Sequence, residues 1–236
     1  MALLGQAALA MWWDMAPDMD AEFQDWHSHE HFRERLGIPG FRRATRWRSA
    51  DGGEGVFQVY ELDAHTTLSS PAYLARLNAP TPQSTLLMPH HRNMVRSQCH
   101  VLESCGAGVA RHALVIRLSP AVGADAALRA ALRAAFDRLV DQPGCVGAHL
   151  LRHEAPVIAQ TTEQKIRGGD RFADWVVMVV GYDLAALQAL AATQFGADAL
   201  AQLGAQPDVL GGLYTVSFSA TPADVAGLTA WAAPSA

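Results

Sequence analysis

The stretch from Glu22 to Leu36 contains side chains that could carry out proton transfer. Read as a helix, it places four side chains on one face, those of Phe23, Trp26, His27 and Glu30. The two aromatic rings should pack against a sheet and draw His27 and Glu30 inward, where neither would lie without a partner. A neutral imidazole beside a desolvated carboxylate can serve as a general base near pH 7. The pattern therefore predicts His27 as an acid–base group that Glu30 orients.

Two other interpretations of these histidines stay open. His27 could be a core histidine whose hydrogen bonds are satisfied by Glu30. His27 and His31 also have the spacing by which a helix presents two imidazoles to one metal ion. Further imidazoles that could join them are those of His29, His65, His90 and His91. The helix lacks the HExxH pattern and no distant ligand is identifiable, so we expect no metal.

The elements that would position these residues occur twice. Pro39-Gly40-Phe41 and Pro143-Gly144-Cys145 each open a run of alternating side chains, one in each half of the chain. Strands are predicted at 6–14, 41–49, 56–62, 94–103, 112–119, 145–153, 174–182 and 212–219, and helices at 19–36, 69–77, 124–140 and 184–194. Each half is then a β-α-β-β-α-β, or ferredoxin-like, unit. We expect an α+β fold of two tandem repeats, 1–106 and 107–236, packed sheet to sheet.

The two halves differ at the helix that follows their first strand. The buried face of the second helix is predicted to be entirely apolar, with Leu128, Leu132, Phe136 and Leu139. The first helix instead has ionisable groups on that face, so the first half is expected to contain the site. The second half has an insertion, 155–171, which is polar and rich in glycine. An ordinary surface loop is expected there, with a lid as the alternative.

Two further segments carry polar groups whose orientation the alternation leaves open. In the strand at 41–49, Arg42 and Arg46 share the face opposite Trp47. We expect this face to be exposed, and an anion-accepting cavity is the alternative. Pro89-His90-His91 precedes the strand at 94–103 and could place polar groups at the mouth of the barrel or form a solvated turn.

Composition excludes several classes of function. The 236 residues are 50% hydrophobic and carry a formal net charge of −5, which does not favour nucleic-acid binding. No uncharged apolar run is long enough for a membrane span, and the amino-terminal stretch lacks the basic region of a secretory signal. Three cysteines without a CxxC spacing indicate reduced thiols. We expect a soluble cytoplasmic protein, and, without any familiar cofactor signature, no cofactor.

Parts of the first half resemble a known group of proteins. The residues concerned are Asp25-Trp26-His27, Glu30-His31, Arg35, Ile38-Pro39-Gly40-Phe41 and the segment from Leu68 to Leu74. This pattern resembles the dimeric α+β-barrel proteins of the EthD and antibiotic-biosynthesis-monooxygenase type. The resemblance implies a ferredoxin-like barrel that two chains form in related proteins and two halves of one chain form here. It also implies activities such as cofactor-independent oxygenation of aromatic polyketides, isomerisation of muconolactone type, or haem handling.

The leading hypothesis is an enzyme for an aromatic or otherwise hydrophobic small molecule, acting by proton transfer or cofactor-independent oxygenation. His27 would be the acid–base group, Glu30 its orienting partner, and His31 would lie at the entrance. The substrate-binding residues would be Phe23, Trp26 and Tyr60. The alternatives are a protein that binds haem or another ligand without transforming it, and an oligomerisation scaffold. A homodimer is a further open expectation, because exposed sheet edges favour association.

Overall fold

The computed structural model of the chain describes residues 3–228. Its strands are β1 (Ala7–Met15), β2 (Phe41–Ser49), β3 (Gly55–Leu62), β4 (His91–Gly106), β5 (His112–Leu118), β6 (Cys145–His153), β7 (Trp175–Gly181) and β8 (Leu210–Ala220). Its α-helices are α1 (Asp20–Trp26), α2 (Phe32–Leu36), α3 (Pro71–Asn78), α4 (Pro82–Leu87), α5 (Asp125–Leu139), α6 (Thr162–Ile166), α7 (Leu184–Ala192), α8 (Ala197–Gln202) and α9 (Pro222–Val225). Within the described range, no helix is both long enough and apolar enough to cross a membrane. The ends of the two predicted halves, 1–2 and 229–236, lie outside the described residues.

The strands close into one barrel in the order β1-β3-β2-β8-β5-β7-β6-β4. The first half contributes β4-β1-β3-β2 and the second half contributes the same arrangement, β8-β5-β7-β6. All neighbouring strands are antiparallel. Each half therefore has the sheet and the element order of a ferredoxin-like unit. The predicted α+β fold of two tandem repeats is confirmed.

The last strand of each half joins the two sheets. β4 pairs with β1 from His91 to His100 and with β6 from Cys99 to Gly106. β8 likewise pairs with both β5 and β2. Because the barrel is closed, no free sheet edge remains in it to recruit a second copy. The argument from an exposed sheet edge therefore does not apply to this barrel, and the homodimer remains a prediction.

Large apolar side chains fill the interior of the barrel. Trp12 and Trp47 stack on Phe57, with ring centroids 4.9 and 5.3 Å apart, and Val115 and Met178 pack in the same cluster. Such close packing is typical of a protein core rather than of a binding site. Space for a ligand must therefore lie on the outer face of the sheet, beneath the helices.

The helices cover this outer face differently in the two halves. In the second half, α5 presents Leu128, Leu132 and Phe136 to Leu150 and Val177, and all of these side chains are buried. The predicted apolar face is thus confirmed. In the first half, the helical segment that follows β1 also buries Phe23 and Trp26, but it buries two imidazoles with them.

The predicted helix at 19–36 contains a π-helical turn, His27–His31, between α1 and α2. The N–H of Phe32 donates a hydrogen bond to the carbonyl of His27, five residues earlier. A π turn widens the helix, so residues four apart come closer to the same face than they do in a regular α-helix. His27 and His31 accordingly lie one above the other. The Glu30 side chain lies nearer the edge of that face.

The insertion 155–171 is not an ordinary exposed loop. It contains α6, which packs against α3 of the other half. The Glu163 side chain on α6 is only 3% exposed. A segment of the second half therefore covers part of the first half, as the lid alternative requires.

Candidate active site

A small cavity lies between the outer face of the first sheet and the helical segment 20–36. Its volume is about 30 Å³, which leaves room for one or two waters. Its lining comprises Leu9, Met11, Trp13, Trp26, His27, His31, Arg35, Gln58, Tyr60, Tyr73, Leu77, Met88, His91, Met94, Arg96, Glu163 and Arg167. The wall is thus largely aromatic and aliphatic, and it carries imidazole and guanidinium groups that come both from the helices and from β4.

His27 is buried and is held by an arginine from the sheet. Its side chain is 2% exposed, and Nη1 of Arg46 lies 3.2 Å from its Nδ1. Since a guanidinium is only a donor, Nδ1 accepts and the neutral ring carries its hydrogen on Nε2. Arg46 also donates to the hydroxyls of Ser28 and Ser217, at 3.1 and 3.0 Å. Burial lowers the pKa of His27 well below its ordinary value, and the charge of Arg46 lowers it further.

Arg46 was expected to be exposed, and this expectation is wrong. Its residue is 3% exposed because the outer face of β2 is covered by the helical segment of the first half. Burial lowers the pKa of Arg46 to about 10, so the group stays positively charged at neutral pH. Arg42, which the alternation places on the same face of β2, is exposed as expected, with 54% of its side chain accessible.

The Glu30 carboxylate is not the partner of His27. It accepts hydrogen bonds from Nε1 of Trp26, at 3.1 Å, and from the hydroxyl of Thr81, at 2.5 Å. The predicted pairing of His27 with Glu30 is wrong, because the π turn moves Glu30 to the edge of the helix face. Glu30 fixes the indole of Trp26 and the residue that precedes α4.

His31 lines the cavity and has one ring nitrogen without a hydrogen-bond partner. Its ring stacks on that of His27, with centroids 5.3 Å apart and planes inclined by 18°, and it also contacts Trp26. Its Nδ1 is buried and has no hydrogen-bond partner. Burial lowers the pKa of His31 well below its ordinary value, with a further contribution from the charge of Arg35. His31 is therefore neutral at pH 7 and retains a lone pair.

His91 supplies a third imidazole from the start of β4. Both of its ring nitrogens are buried without a hydrogen-bond partner, and the ring lies 5.0 Å from Trp13 and 5.7 Å from Phe23 between centroids. Burial, followed by the charge of Arg167, lowers the pKa of His91 to about 3. The sequence left open whether the segment with His91 lies at the mouth of the barrel or forms a solvated turn, and the structure places His91 in the cavity wall. The polar and exposed Arg92 and Asn93, which follow it, gave no local signal that its ring is buried.

The aromatic residues predicted to bind substrate fall into two groups. Trp26 and Tyr60, each 1% exposed, line the cavity. Burial raises the pKa of Tyr60, so its hydroxyl stays protonated. Phe23 is fully buried behind the cavity wall, where its ring contacts that of His27 with centroids 4.9 Å apart.

A buried ionic network closes the other side of the cavity. Glu163 forms salt bridges with Arg35 and, at 3.6 Å, with Arg167. Arg167 also pairs with Asp170 at 3.0 Å, and Nη2 of Arg96 donates to the Tyr73 hydroxyl at 2.8 Å. Arg35 and Glu163 are separated by 128 positions, so no local pattern could have predicted their contact.

The imidazoles do not form a recognisable metal centre. Within residues 3–228, no three His, Cys, Asp or Glu side chains are grouped in a way that could hold a metal ion. The lining instead combines neutral proton acceptors with permanent cations. Such a set can take a proton from a bound molecule and stabilise the anion that results.

Solved structures show where this architecture has been seen before. An anthrone oxidase-like protein superposes with a TM-score of 0.64 over 97% of this chain and 99% of its own, at 11% identity. A candidate monooxygenase from Fusobacterium nucleatum gives 0.60 over 93% and 96%, at 7% identity, and one from Lactobacillus acidophilus gives 0.56 over 92% and 97%, at 8% identity. The chain has the dimeric α+β-barrel fold. No protein-family model and no curated protein sequence matches it.

These comparisons confirm the fold that the resemblance implied. The superposed structures span nearly the whole chain, so the likeness covers both halves of the barrel. At such low identity it is a likeness of fold alone.

Proposed function

We propose that the protein is an enzyme for an aromatic or hydrophobic small molecule, acting by proton transfer or cofactor-independent oxygenation. The observation that carries this proposal is the juxtaposition of His27 and His31, two buried neutral imidazoles stacked beside an aromatic cavity. Burying titratable rings in this way is costly for stability and is common at sites of proton transfer.

The two imidazoles have different parts in the proposed reaction. His31 is the general base, because its Nδ1 has no hydrogen-bond partner and can accept a proton in the tautomer that carries its hydrogen on Nε2. His27 is the acid partner, since Arg46 occupies its Nδ1 and leaves the hydrogen on Nε2 to donate to a substrate oxygen. Tyr60 and Trp26 hold the aromatic ring of the substrate, for which the cavity must widen beyond the one or two waters that it now admits. Glu30 acts indirectly, by fixing the Trp26 indole.

A phenol or an activated methylene group adjacent to a carbonyl fits these roles. Removal of the proton by His31 gives a phenolate or enolate, whose oxygen His27 and the nearby Arg35 stabilise. Such an electron-rich anion can reduce dioxygen directly. One oxygen atom then enters the substrate to give a quinone, and the other leaves as water with the two hydrogens that the substrate loses. If dioxygen does not react, reprotonation at another carbon gives an isomer.

The solved structures support the choice of a probe. One of them is described as an anthrone oxidase-like protein and two as candidate monooxygenases. Anthrone combines the aromatic body and the activated methylene group that the cavity chemistry requires. Its oxidation by one dioxygen molecule gives anthraquinone and water, so both substrate loss and oxygen uptake can be followed.

Anthrone oxidation at pH 7 tests the proposal. The wild-type protein should accelerate oxygen uptake and anthraquinone formation, and His31→Gln should lower the rate by about 100- to 10,000-fold, as expected for loss of a general base. His29→Gln, an exposed imidazole on the same turn, is the matched control and should keep the wild-type rate. Equal rates in the His31 and His29 variants would remove His31 from the mechanism.

Ligand binding without catalysis remains the alternative function. It predicts that anthrone or haem binds, with quenched tryptophan fluorescence or a Soret band, while no product appears. The scaffold alternative required a closed interior with His27 bonded to Glu30. The bond from Arg46 to His27 and the cavity beside it support a ligand-binding role instead.

In the proposed function, the two predicted halves, 1–106 and 107–236, supply different residues of the site. The first half carries the imidazoles and the aromatic wall. The second half, expected to be a scaffold, also contributes Glu163 and Arg167 to the lining. We therefore propose that both halves are needed for the site, and that a small-molecule ligand is the principal partner.

A further inference from the structure

The cavity is surrounded by more positive than negative groups. Arg35, Arg96 and Arg167 line it, and the carboxylates in salt-bridge contact with them are those of Glu163 and Asp170 among the described residues. The side-chain partner of Arg96 is the neutral hydroxyl of Tyr73. A buried charge without a counter-ion is strongly destabilising. The excess of positive over negative side chains around the cavity favours a ligand that carries a negative charge.

Arg35 has binding capacity that its present contact does not use. Its Nη2 binds Glu163, whereas its Nη1 is buried without a hydrogen-bond partner. A guanidinium binds a carboxylate best through two parallel N–H···O bonds. A carboxylate that approached from the cavity could engage both nitrogens, so Arg35 is better suited to such a ligand than to Glu163.

Glu163 lies on the segment that separates the cavity from a second space. This outer space has a volume of about 210 Å³ and lies between the start of the 155–171 insertion and the sheet. Leu77, Arg96 and Arg167 line both spaces and form the wall between them. Near the end of the insertion, Gly168 and Gly169 both have positive φ, a backbone conformation that favours glycine. Movement of α6 would join the two spaces.

We infer that the site takes an aromatic carboxylate, whose carboxylate group displaces Glu163 from Arg35. The Glu163 side chain stands where the acidic group of the ligand binds, and Trp26 and Tyr60 receive the ring. The location of the ring rests on the proposed function, whereas the choice of a carboxylate rests on Arg35, Arg96 and Glu163. The displacement frees α6 and opens the wall to the outer space.

Binding of 2-naphthoate and of its neutral isostere 2-naphthamide, followed by tryptophan fluorescence and calorimetry, tests this inference. The wild-type protein should bind naphthoate more tightly than naphthamide. Glu163→Gln removes the competing carboxylate while keeping its shape, and should tighten naphthoate binding by roughly tenfold without a similar gain for naphthamide. In the double variant Arg35→Gln, Glu163→Gln the preference for naphthoate should disappear.

Asp170→Asn is the matched control. It changes the net charge as much as Glu163→Gln does, but leaves the contact between Arg35 and Glu163 in place. The inference is overturned if Asp170→Asn tightens naphthoate binding equally, if Glu163→Gln favours both probes alike, or if neither the wild type nor Glu163→Gln binds naphthoate. Circular dichroism checks that each variant is folded, and the comparison of the two probes on the wild type needs no substitution.

This experiment and the anthrone assay fail independently. Naphthoate selectivity measures binding at Arg35, whereas anthrone oxidation measures proton transfer at His31. Loss of the selectivity with normal turnover would remove only the inference about carboxylates. Normal selectivity without turnover would remove only the proposed enzymatic function.

Discussion

The helical segment 20–36 and helix α5 occupy corresponding places on the two sheets, yet they bury opposite kinds of side chain. α5 is a regular helix whose buried face consists of Leu128, Leu132, Ala135, Phe136 and Leu139. The first segment is interrupted by a π turn and buries His27, His31 and Arg35. The apolar face of α5 in the second half shows which side chains packing alone requires of a helix at this place on the sheet. The polar residues of the other half therefore need an explanation beyond packing, and ligand chemistry provides one.

The largest effect is expected from exchanging apolar and polar side chains between the buried faces of these two helices. Leu132→Gln should lower the free energy of unfolding by about 2–5 kcal/mol, because it leaves an amide without partners in an apolar core. The reciprocal change, His31→Leu, should keep or raise stability, since it removes a buried nitrogen that has no hydrogen-bond partner. Urea unfolding measures both. A large loss of stability in His31→Leu would mean that the imidazole serves packing, and the contrast between the halves would lose its functional meaning.

Acid should destabilise the protein through its buried neutral histidines. The folded-state pKa values of His27, His31 and His91 all lie below the ordinary value. Between the folded pKa and an unfolded pKa of about 6.5, the unfolded state therefore binds more protons. Their stabilising contribution is complete above pH 6.5 and declines as the pH falls, by up to about 1.4 kcal/mol per pH unit for each histidine. For His91 the decline continues to about pH 3.

The melting temperature between pH 7 and pH 4 measures this effect, and the two halves sharpen it. His91→Gln should reduce the change of melting temperature with pH by the contribution of one histidine. His149, inside the barrel beside Ser104, also has a pKa lowered by burial to about 3. His149→Gln should therefore flatten it by a similar amount without affecting anthrone oxidation. An unchanged slope in both variants would show that these imidazoles do not titrate on unfolding.

The sequence permitted a good prediction of the fold because the relevant signals are local. Alternation in each strand and the Pro-Gly turns recur in both halves, and the periodicity of the first helix correctly indicated that Trp26 and His27 are buried. The partner of His27 was missed because the same periodicity does not reveal a π turn, which moves Glu30 away. Arg46 was missed because strand alternation does not tell which face the helices cover. Glu163 was missed because it comes from a distant insertion.

The smallest expected effect concerns Glu30, and it decides whether this carboxylate acts on the substrate or on the protein. Its hydrogen bonds with Trp26 and Thr81 imply a positioning role. Glu30→Gln keeps an acceptor oxygen at this place, so stability should fall by about 1 kcal/mol or less and anthrone oxidation by less than about tenfold. The pH profile of the rate should not change, because Glu30 transfers no proton in the proposed mechanism. A profile that loses its acidic limb in Glu30→Gln, with Trp26 fluorescence unaltered, would restore Glu30 as a catalytic group and make the first helix more unlike α5 than the geometry indicates.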